Sequence, residues 1–193
     1  MGRLFCLVGK SGSGKDTLYR AILERAQGTL RPVVPWTTRP RRSGEQEGRE
    51  YHFVTEQTMR QMEEEGRILE QRAYQTMAGT WYYFTADFSL DGGDCLMINT
   101  PQGVERLRRH FGQERVIACY LQVEEGELLR RSLMREERQQ TRRYGELCRR
   151  FLADQRDFAG FERAGRYLTL DGAQDVDSCV RQFFALRQRL TEE

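Results

Sequence analysis

The stretch GKSGSGKDT, residues 9–17, constrains the fold of this chain more than any other segment. A short apolar run, residues 4–8, precedes it, and a segment with helical spacing, residues 17–26, follows and ends before Gly28. A strand, a glycine-rich loop and a helix in this order bring backbone N–H groups and a helix N-terminus around phosphate oxygens. The sequence therefore predicts a nucleoside triphosphate site here rather than a simple serine-glycine turn. We call residues 9–17 the phosphate loop.

The phosphate loop supplies the residues that we expect to bind ATP. They are Gly9, Ser11, Gly12, Ser13, Gly14, Lys15, Asp16 and Thr17. Lys15 is also a candidate catalytic residue, because an ammonium group neutralises charge on phosphoryl oxygens. Of the 31 basic residues only Lys10 and Lys15 are lysines, and both lie in this loop. A compact ammonium is thus kept where it could contact phosphate, whereas every other basic residue is an arginine.

The phosphate loop departs from the usual pattern at one position. The motif G-x-x-x-x-G-K normally continues with a serine or threonine whose hydroxyl binds Mg²⁺. Here that position holds Asp16, and Thr17 comes one place later. Because Mg²⁺ favours one or two carboxylates together with phosphates and water, we predict that Asp16 is the metal ligand and Mg²⁺ the cofactor. The alternative is that Asp16 only stabilises the start of the following helix.

Strand and helix patterns alternate through most of the chain, which favours a three-layer α/β fold with a parallel central sheet. Further strands are predicted at residues 95–98, 116–123 and 167–170, and helices at 101–110, 126–137, 144–158 and 176–190. The polar segment 32–86 is different, because it contains short strand patterns (51–54, 68–71 and 81–84) around one helical stretch near 58–65. We interpret the chain as a single domain with three parts. These are a core (1–31, 87–124 and 160–193), a small lobe (32–86) and a helical lid (125–159).

Composition excludes several classes of function. The net charge of +2 is too small to indicate a general nucleic-acid binder. No apolar run has the length of a membrane span, and the N-terminus does not have the pattern of a secretory signal. The five cysteines are scattered and form no metal-binding or disulfide pattern. We therefore expect a cytoplasmic protein, either a monomer or a homodimer, with no nucleic-acid or membrane partner.

A second motif lies in the small lobe. The stretch TTRPRRSGEQEGREYHF, residues 37–53, reads by itself as a charged and solvated loop. After a phosphate loop, however, its arginines and tyrosine also fit a clamp for a second phosphate compound.

The stretch resembles the nucleotide-binding region of the guanylate kinases. The matching letters are Thr37, Thr38, Arg39, Arg42, Gly44, Glu45, Gly48, Tyr51, His52 and Phe53. Further matches follow along the chain. They are Glu70 in RILE, Tyr83 and Thr85 in YYFT, the segment PQGVERL, and the spacing of Leu128, Arg131 and Arg135. Arg150 leads a helix similar to one in the family. The resemblance covers nearly the whole chain.

The resemblance implies a P-loop kinase fold and the transfer of a phosphoryl group from ATP to GMP. By analogy, Arg39, Arg42, Tyr51 and Tyr83 would bind the phosphate of the acceptor. Glu70 and Thr85 would face its base, and the catalytic residues Arg131, Arg135 and Arg150 would close on the transferring phosphoryl group. The interleaved acids and bases around these three arginines are equally typical of an exposed helix pair.

Five positions depart from the family pattern. Besides Asp16, Asn99 and Thr100 stand where the family has acids near the metal. Pro35 replaces a base-reading serine, and Phe84 replaces a glycine and is expected to add bulk beside the base. These changes leave two alternatives open. One is a kinase for another nucleotide or for a sugar phosphate such as ribose bisphosphate, and the other is a non-catalytic binding module.

Overall fold

The fold is organised around one central strand, all five residues of which are buried. The computed structural model describes residues 2–42, 44–76, 79–140 and 142–192. The strands are β1 Leu4–Val8, β2 Arg31–Pro32, β3 Trp36–Thr37, β4 His52–Phe53, β5 Ile68–Thr76, β6 Gly79–Ala86, β7 Cys95–Ile98, β8 Val116–Gln122 and β9 Leu168–Asp171. The helices are α1 Lys15–Ala26, α2 Glu56–Glu64, α3 Pro101–Phe111, α4 Glu125–Glu137, α5 Tyr144–Ala164 and α6 Val176–Glu192.

The larger sheet is parallel throughout, in the order β2-β7-β1-β8-β9. Alternate side chains of β1 enter two hydrophobic clusters on opposite faces of this sheet. α3 and α5 cover one face, whereas α1 and α6 cover the other. Strands buried on both faces produce continuous apolar runs, which is why the sequence reveals them. The predicted three-layer α/β fold with a parallel central sheet is confirmed.

The second sheet is smaller and mixed, in the order β4-β3-β6-β5. β5 and β6 form a long antiparallel hairpin, and β3 pairs antiparallel with β6 and parallel with β4. One face of this sheet packs against α2 through a cluster that contains Met59, Met62, Phe84 and Ala86. The opposite face carries the polar side chains described below.

Most of the predicted elements are present, with different ends. α5 extends to Ala164, and β5 and β6 are longer than the predicted segments 68–71 and 81–84. β2 and β3 have two residues each and were not predicted, because strands this short have no periodicity of their own. Among the described residues, no helix combines the length and the apolar character needed to cross a bilayer.

Candidate active site

The phosphate loop joins the C-terminal end of β1 to the N-terminus of α1, which begins at Lys15. Gly12 and Gly14 have φ angles of 86° and 89°, a region that favours glycine. A Cβ atom on Gly12 would also lie 2.6 Å from Ser132 Oγ and 2.9 Å from the carbonyl oxygen of Leu128. The loop therefore needs glycine at position 12 for two reasons, its backbone angle and the close approach of α4.

The structure leaves a buried polar atom without a partner inside the phosphate loop. The backbone N–H of Ser13 donates to the carbonyl of Lys10 at 3.1 Å, which closes the turn. Ser13 Oγ is buried, and within the described part of the chain it has no hydrogen-bond partner. A buried hydroxyl of this kind is usually satisfied by a group that the structure does not contain. The arrangement fits a loop that accepts phosphate oxygens.

Lys10 does not have the role that its position in the loop suggested. It is only 5% exposed, and its Nζ lies 3.0 Å from Glu162 Oε1 and 3.4 Å from Glu125 Oε1. It also donates to Gln155 Oε1 at 3.2 Å and lies over the ring of Phe158. Its charge is therefore balanced by protein carboxylates rather than left free for phosphate. The sequence did not show this, because the partners lie more than a hundred residues away in the chain.

A second contact joins the phosphate loop to α5. The backbone N–H of Ser11 donates to the carboxylate of Asp154, one helical turn beyond Arg150. Arg150 itself donates to Glu146 Oε1 at 2.7 Å and is exposed. α5 is thus fixed to the loop through one turn and presents Arg150 on the next. Asp154 was not among the predicted residues, and its spacing of four residues from Arg150, one helical turn, was the signal that the sequence offered for this contact.

The two predicted arginines of α4 differ in their contacts. Arg131 donates to Glu127 Oε1 at 2.6 Å and reaches the carbonyl of Ser13 in the phosphate loop at 3.5 Å. Arg135 is exposed and lines a shallow cavity of about 280 Å³ together with Arg131, Met134 and Arg138. The structure therefore brings Arg131 to the loop and leaves Arg135 one turn away, at its edge.

Asp16 lies in the first turn of α1 and is exposed. Among the described residues there is no cluster of three or more acidic, histidine or cysteine side chains that could hold a metal. A metal bound by Asp16 would therefore take its remaining ligands from phosphates and water. This donor set suits Mg²⁺, which keeps several waters and binds through one or two carboxylates.

The polar face of the small sheet carries a second group of candidate residues. We call Arg39, Tyr51, Tyr83, Glu70 and Thr85 the lobe cluster. Arg39 is 3% exposed and lies over the rings of Tyr51 and Phe53. Its Nη1 and Nη2 donate to the two carboxylate oxygens of Glu45 at 2.9 and 2.8 Å. These hydrogen bonds lower the pKa of Glu45.

Arg39 keeps one donor available in spite of these contacts. Its Nε donates to Tyr83 Oη at 3.1 Å, and Nη1 also donates to the carbonyl of Pro40 at 2.9 Å. Because a guanidinium has five N–H donors, these four hydrogen bonds leave one without a partner among the described residues. The Tyr83 oxygen accepts from Arg39, so its own O–H can donate elsewhere. Both groups suit the recognition of an anion.

Glu70 and Thr85 form the buried end of the lobe cluster. They are 3% and 1% exposed, and Thr85 Oγ1 donates to Glu70 Oε1 at 2.8 Å. The second oxygen, Oε2, is buried and has no hydrogen-bond partner within the described residues. A buried carboxylate oxygen without a partner is costly, and a ligand with N–H donors would satisfy it.

The charge of Asp16 in the phosphate loop acts on the lobe cluster. Burial raises the pKa of Tyr51, and Tyr83 raises it further. The carboxylate of Asp16 contributes to the same increase, whereas Arg39 lowers it. Tyr51 is therefore influenced by charges in the lobe cluster and by Asp16 in the first turn of α1. The Arg42 side chain is exposed, and its backbone N–H donates to Glu45, the partner of Arg39.

The departures from the family pattern have structural explanations. Phe84 does not add bulk beside a base, and that expectation is wrong. It is fully buried on the opposite face of the small sheet, where it stacks near Trp36. Thr100 caps α3 by accepting from the N–H of Gly103 at 3.3 Å, and Asn99 Oδ1 accepts from the N–H of Thr100 at 2.8 Å. Both side chains therefore form hydrogen bonds at the start of α3.

Comparisons with known proteins agree on one family. The family model "Guanylate kinase" matches residues 1–159. Guanylate kinases from Thiobacillus denitrificans and Nitrobacter winogradskyi are each 37% identical, over 58% and 67% of this chain and 54% and 59% of their own lengths. The chain thus spans somewhat over half the length of these curated relatives.

Solved structures support the fold. The guanylate kinase from Anaplasma phagocytophilum has a TM-score of 0.68 at 19% identity, covering 97% of this chain and 85% of its own. A gluconokinase from Sinorhizobium meliloti has a TM-score of 0.53 at 18% identity, covering 99% and 94%. The central parallel sheet, the phosphate loop and the match over residues 1–159 together place this chain in the guanylate kinase family.

Proposed function

We propose that this protein transfers the terminal phosphoryl group of ATP to GMP, giving ADP and GDP. The observation that supports this most directly is the presence of two arrangements suited to anions, close enough that charges of both act on Tyr51. One is the phosphate loop with Asp16, and the other is the lobe cluster with Arg39. A phosphoryl donor in the first would face an acceptor in the second, which is the arrangement that in-line transfer needs.

The base of the acceptor would lie at the buried end of the lobe cluster. The Watson–Crick edge of guanine offers two neighbouring N–H donors, whereas adenine lacks this pair. Glu70 Oε2 is a buried acceptor without a hydrogen-bond partner among the described residues. A site that expects hydrogen bonds rejects a ligand that cannot make them. These features support guanine, although Pro35 supplies no side-chain hydrogen bond.

The chemistry needs positioning and charge neutralisation more than covalent help. Loop N–H groups and Lys15 would bind the phosphates of ATP. Arg39, Tyr51 and Tyr83 would hold the acceptor phosphate, with Arg42 completing its outer side. Arg131, which already touches the phosphate loop, would act with Arg135 and Arg150 on the transferring group once α4 and α5 close over the cleft.

Mg²⁺ is the cofactor that suits this site, and Asp16 would hold it. When bound there, Mg²⁺ would neutralise negative charge on the phosphate groups. The division into a core (1–31, 87–124 and 160–193), a lobe (32–86) and a lid (125–159) belongs to the same proposal. The substrates of the proposed reaction are small molecules. This fits a cytoplasmic enzyme that is monomeric or homodimeric and has no nucleic-acid or membrane partner.

The test is a coupled assay of ADP release with ATP and a panel of acceptors. The panel contains GMP, dGMP, AMP, CMP, UMP and ribose phosphates including ribose bisphosphate. We expect kcat/KM for GMP to exceed that for AMP by about a hundredfold or more, because one buried hydrogen-bonding site provides discrimination of at least this size. Turnover of GMP no better than that of AMP or a sugar phosphate would contradict the proposal. If no acceptor is turned over and Lys15→Ala binds ATP no more weakly than wild type, the protein would be a non-catalytic module.

A further inference from the structure

Arg72 lies inside the lobe cluster, although no sequence motif marks it. It follows Glu70 by two residues on β5, so both side chains project from the same face of the sheet. Its partner in the register is Tyr83 on β6, and Glu70 is paired with Thr85 in the same way. Arg72 therefore stands between the buried carboxylate and the tyrosine that contacts Arg39.

The contacts of Arg72 are incomplete. Its Nε lies 3.5 Å from Glu70 Oε2, which is close enough for charge compensation but too long for a good hydrogen bond. Both atoms are buried, and neither has a hydrogen-bond partner within the described residues. The Arg72 side chain is 23% exposed, whereas that of Glu70 is fully buried. The guanidinium is thus partly exposed, and its terminal N–H groups make no hydrogen bond to any of the described residues.

The electrostatic influence of Arg72 reaches the other side of the cluster. It lowers the pKa of Tyr51, as Arg39 does. The two arginines differ in how much of their charge is engaged. Arg39 is held by both carboxylate oxygens of Glu45, whereas Arg72 meets a single oxygen of Glu70 through Nε. The guanidinium of Arg72 therefore makes fewer contacts with carboxylate oxygens than that of Arg39.

We propose that Arg72 is a further acceptor-binding residue, whose terminal N–H groups donate to the phosphate or ribose oxygens of the acceptor while Nε compensates the charge of Glu70. This inference rests on the proposed function, since it takes the lobe cluster as the acceptor site. It predicts that Arg72 contributes to binding independently of which base is present, because its free donors face the part of the acceptor that all nucleoside monophosphates share.

The experiment compares wild type with Arg72→Met, which keeps the length of the side chain and removes its charge and donors. We expect KM for GMP to rise about tenfold or more, because a hydrogen bond to a charged group is lost, while KM for ATP stays within about twofold. Inhibition constants of AMP and IMP, measured in competition with GMP, should rise by the same factor. Arg67→Met is the matched control, because Arg67 directly precedes β5 and forms only exposed ion pairs, with Glu65 and Asp87.

Each result decides between distinct conclusions. An unchanged or lowered KM for GMP would overturn the inference, and so would a loss confined to GMP, because Arg72 would then act only through Glu70. If Arg72→Met does not fold, Arg72→Gln, which removes the charge and shortens the side chain, takes its place, and a KM for GMP within twofold of wild type would likewise count against the inference. A wild type that phosphorylates no nucleotide would refute the proposed function and the inference together. A wild type active on GMP with an unaffected variant would refute the inference alone.

Discussion

The phosphate loop and the lobe cluster would both bind phosphate, yet they are built in different ways. The loop depends on backbone N–H groups, on two glycines with positive φ angles and on the start of α1. The lobe cluster depends on side chains that the protein has already paired, above all Arg39 with Glu45. A backbone site is defined by a short local segment, whereas a side-chain site depends on distant partners that hold each charged group in place. The following substitutions test this contrast.

The largest effect is expected from Lys15→Ala in the phosphate loop. Lys15 is the lysine of this loop that is not surrounded by protein carboxylates, so its removal leaves phosphate charge without its ammonium. We expect kcat to fall by about a hundredfold to a thousandfold, as for other preorganised electrostatic groups, with little change in the melting temperature. Arg25→Ala, in the last turn of the same helix, is the control and should leave kcat unchanged. Steady-state kinetics with GMP as acceptor provide the measurement.

In the lobe cluster, Glu45→Gln should affect binding and stability together. The substitution leaves the buried Arg39 guanidinium without its counter-charge, which costs about 3 kcal/mol or more of unfolding free energy. KM for GMP should also rise, because Arg39 loses its fixed orientation. Urea denaturation and acceptor kinetics measure the two effects. Glu50→Gln, which removes an exposed pair with Arg49, should change the unfolding free energy by less than about 1 kcal/mol. If both substitutions lowered the unfolding free energy equally, the lobe cluster would not depend on the pairing of Arg39 with Glu45, and this difference from the phosphate loop would disappear.

Asp16→Asn tests whether the backbone site also needs a side-chain ligand. We expect turnover at limiting Mg²⁺ to fall about tenfold or more, because the amide is a weaker ligand than the carboxylate. Asp177→Asn is matched to it, since Asp177 also lies in the first turn of a helix. Both substitutions should cost a similar small amount of stability through the helix dipole, about 0.5 kcal/mol. A fully active Asp16→Asn variant would leave Asp16 with helix stabilisation as its only role.

The smallest expected effect is the pH dependence of the stability that Glu146 in α5 contributes. Arg149 and Arg150 lower the pKa of Glu146 to about 2, with the hydrogen bond from Arg149 as the largest contribution. Because the folded pKa lies below the ordinary value of 4.5, the unfolded chain binds the proton first. The contribution of Glu146 to stability is therefore complete above pH 4.5 and is lost as the pH falls towards 2. The difference in melting temperature between wild type and Glu146→Gln should shrink over that range, and a constant difference would contradict the assignment.

The sequence by itself determined the phosphate loop, the parallel core and the family. The loop is local, because its glycines, its preceding strand and its helix occupy one continuous segment. Central strands are buried on both faces, so their apolar runs are visible without knowledge of their neighbours. The residues of the lobe cluster were found through the resemblance to the guanylate kinases, since charge and residue type alone equally favoured a solvated loop.

Only the tertiary structure determined the contacts of several individual residues. It placed Lys10 among carboxylates from α4 and α5 and brought Arg72 beside Glu70. It also buried Phe84 in the hydrophobic cluster between the small sheet and α2. It also formed β2 and β3, which exist because their partners supply the hydrogen bonds. The physical reason is common to all of these cases. The free energy of a buried charge or a short strand depends on groups that are distant in the chain, and no local pattern records which of them will be adjacent.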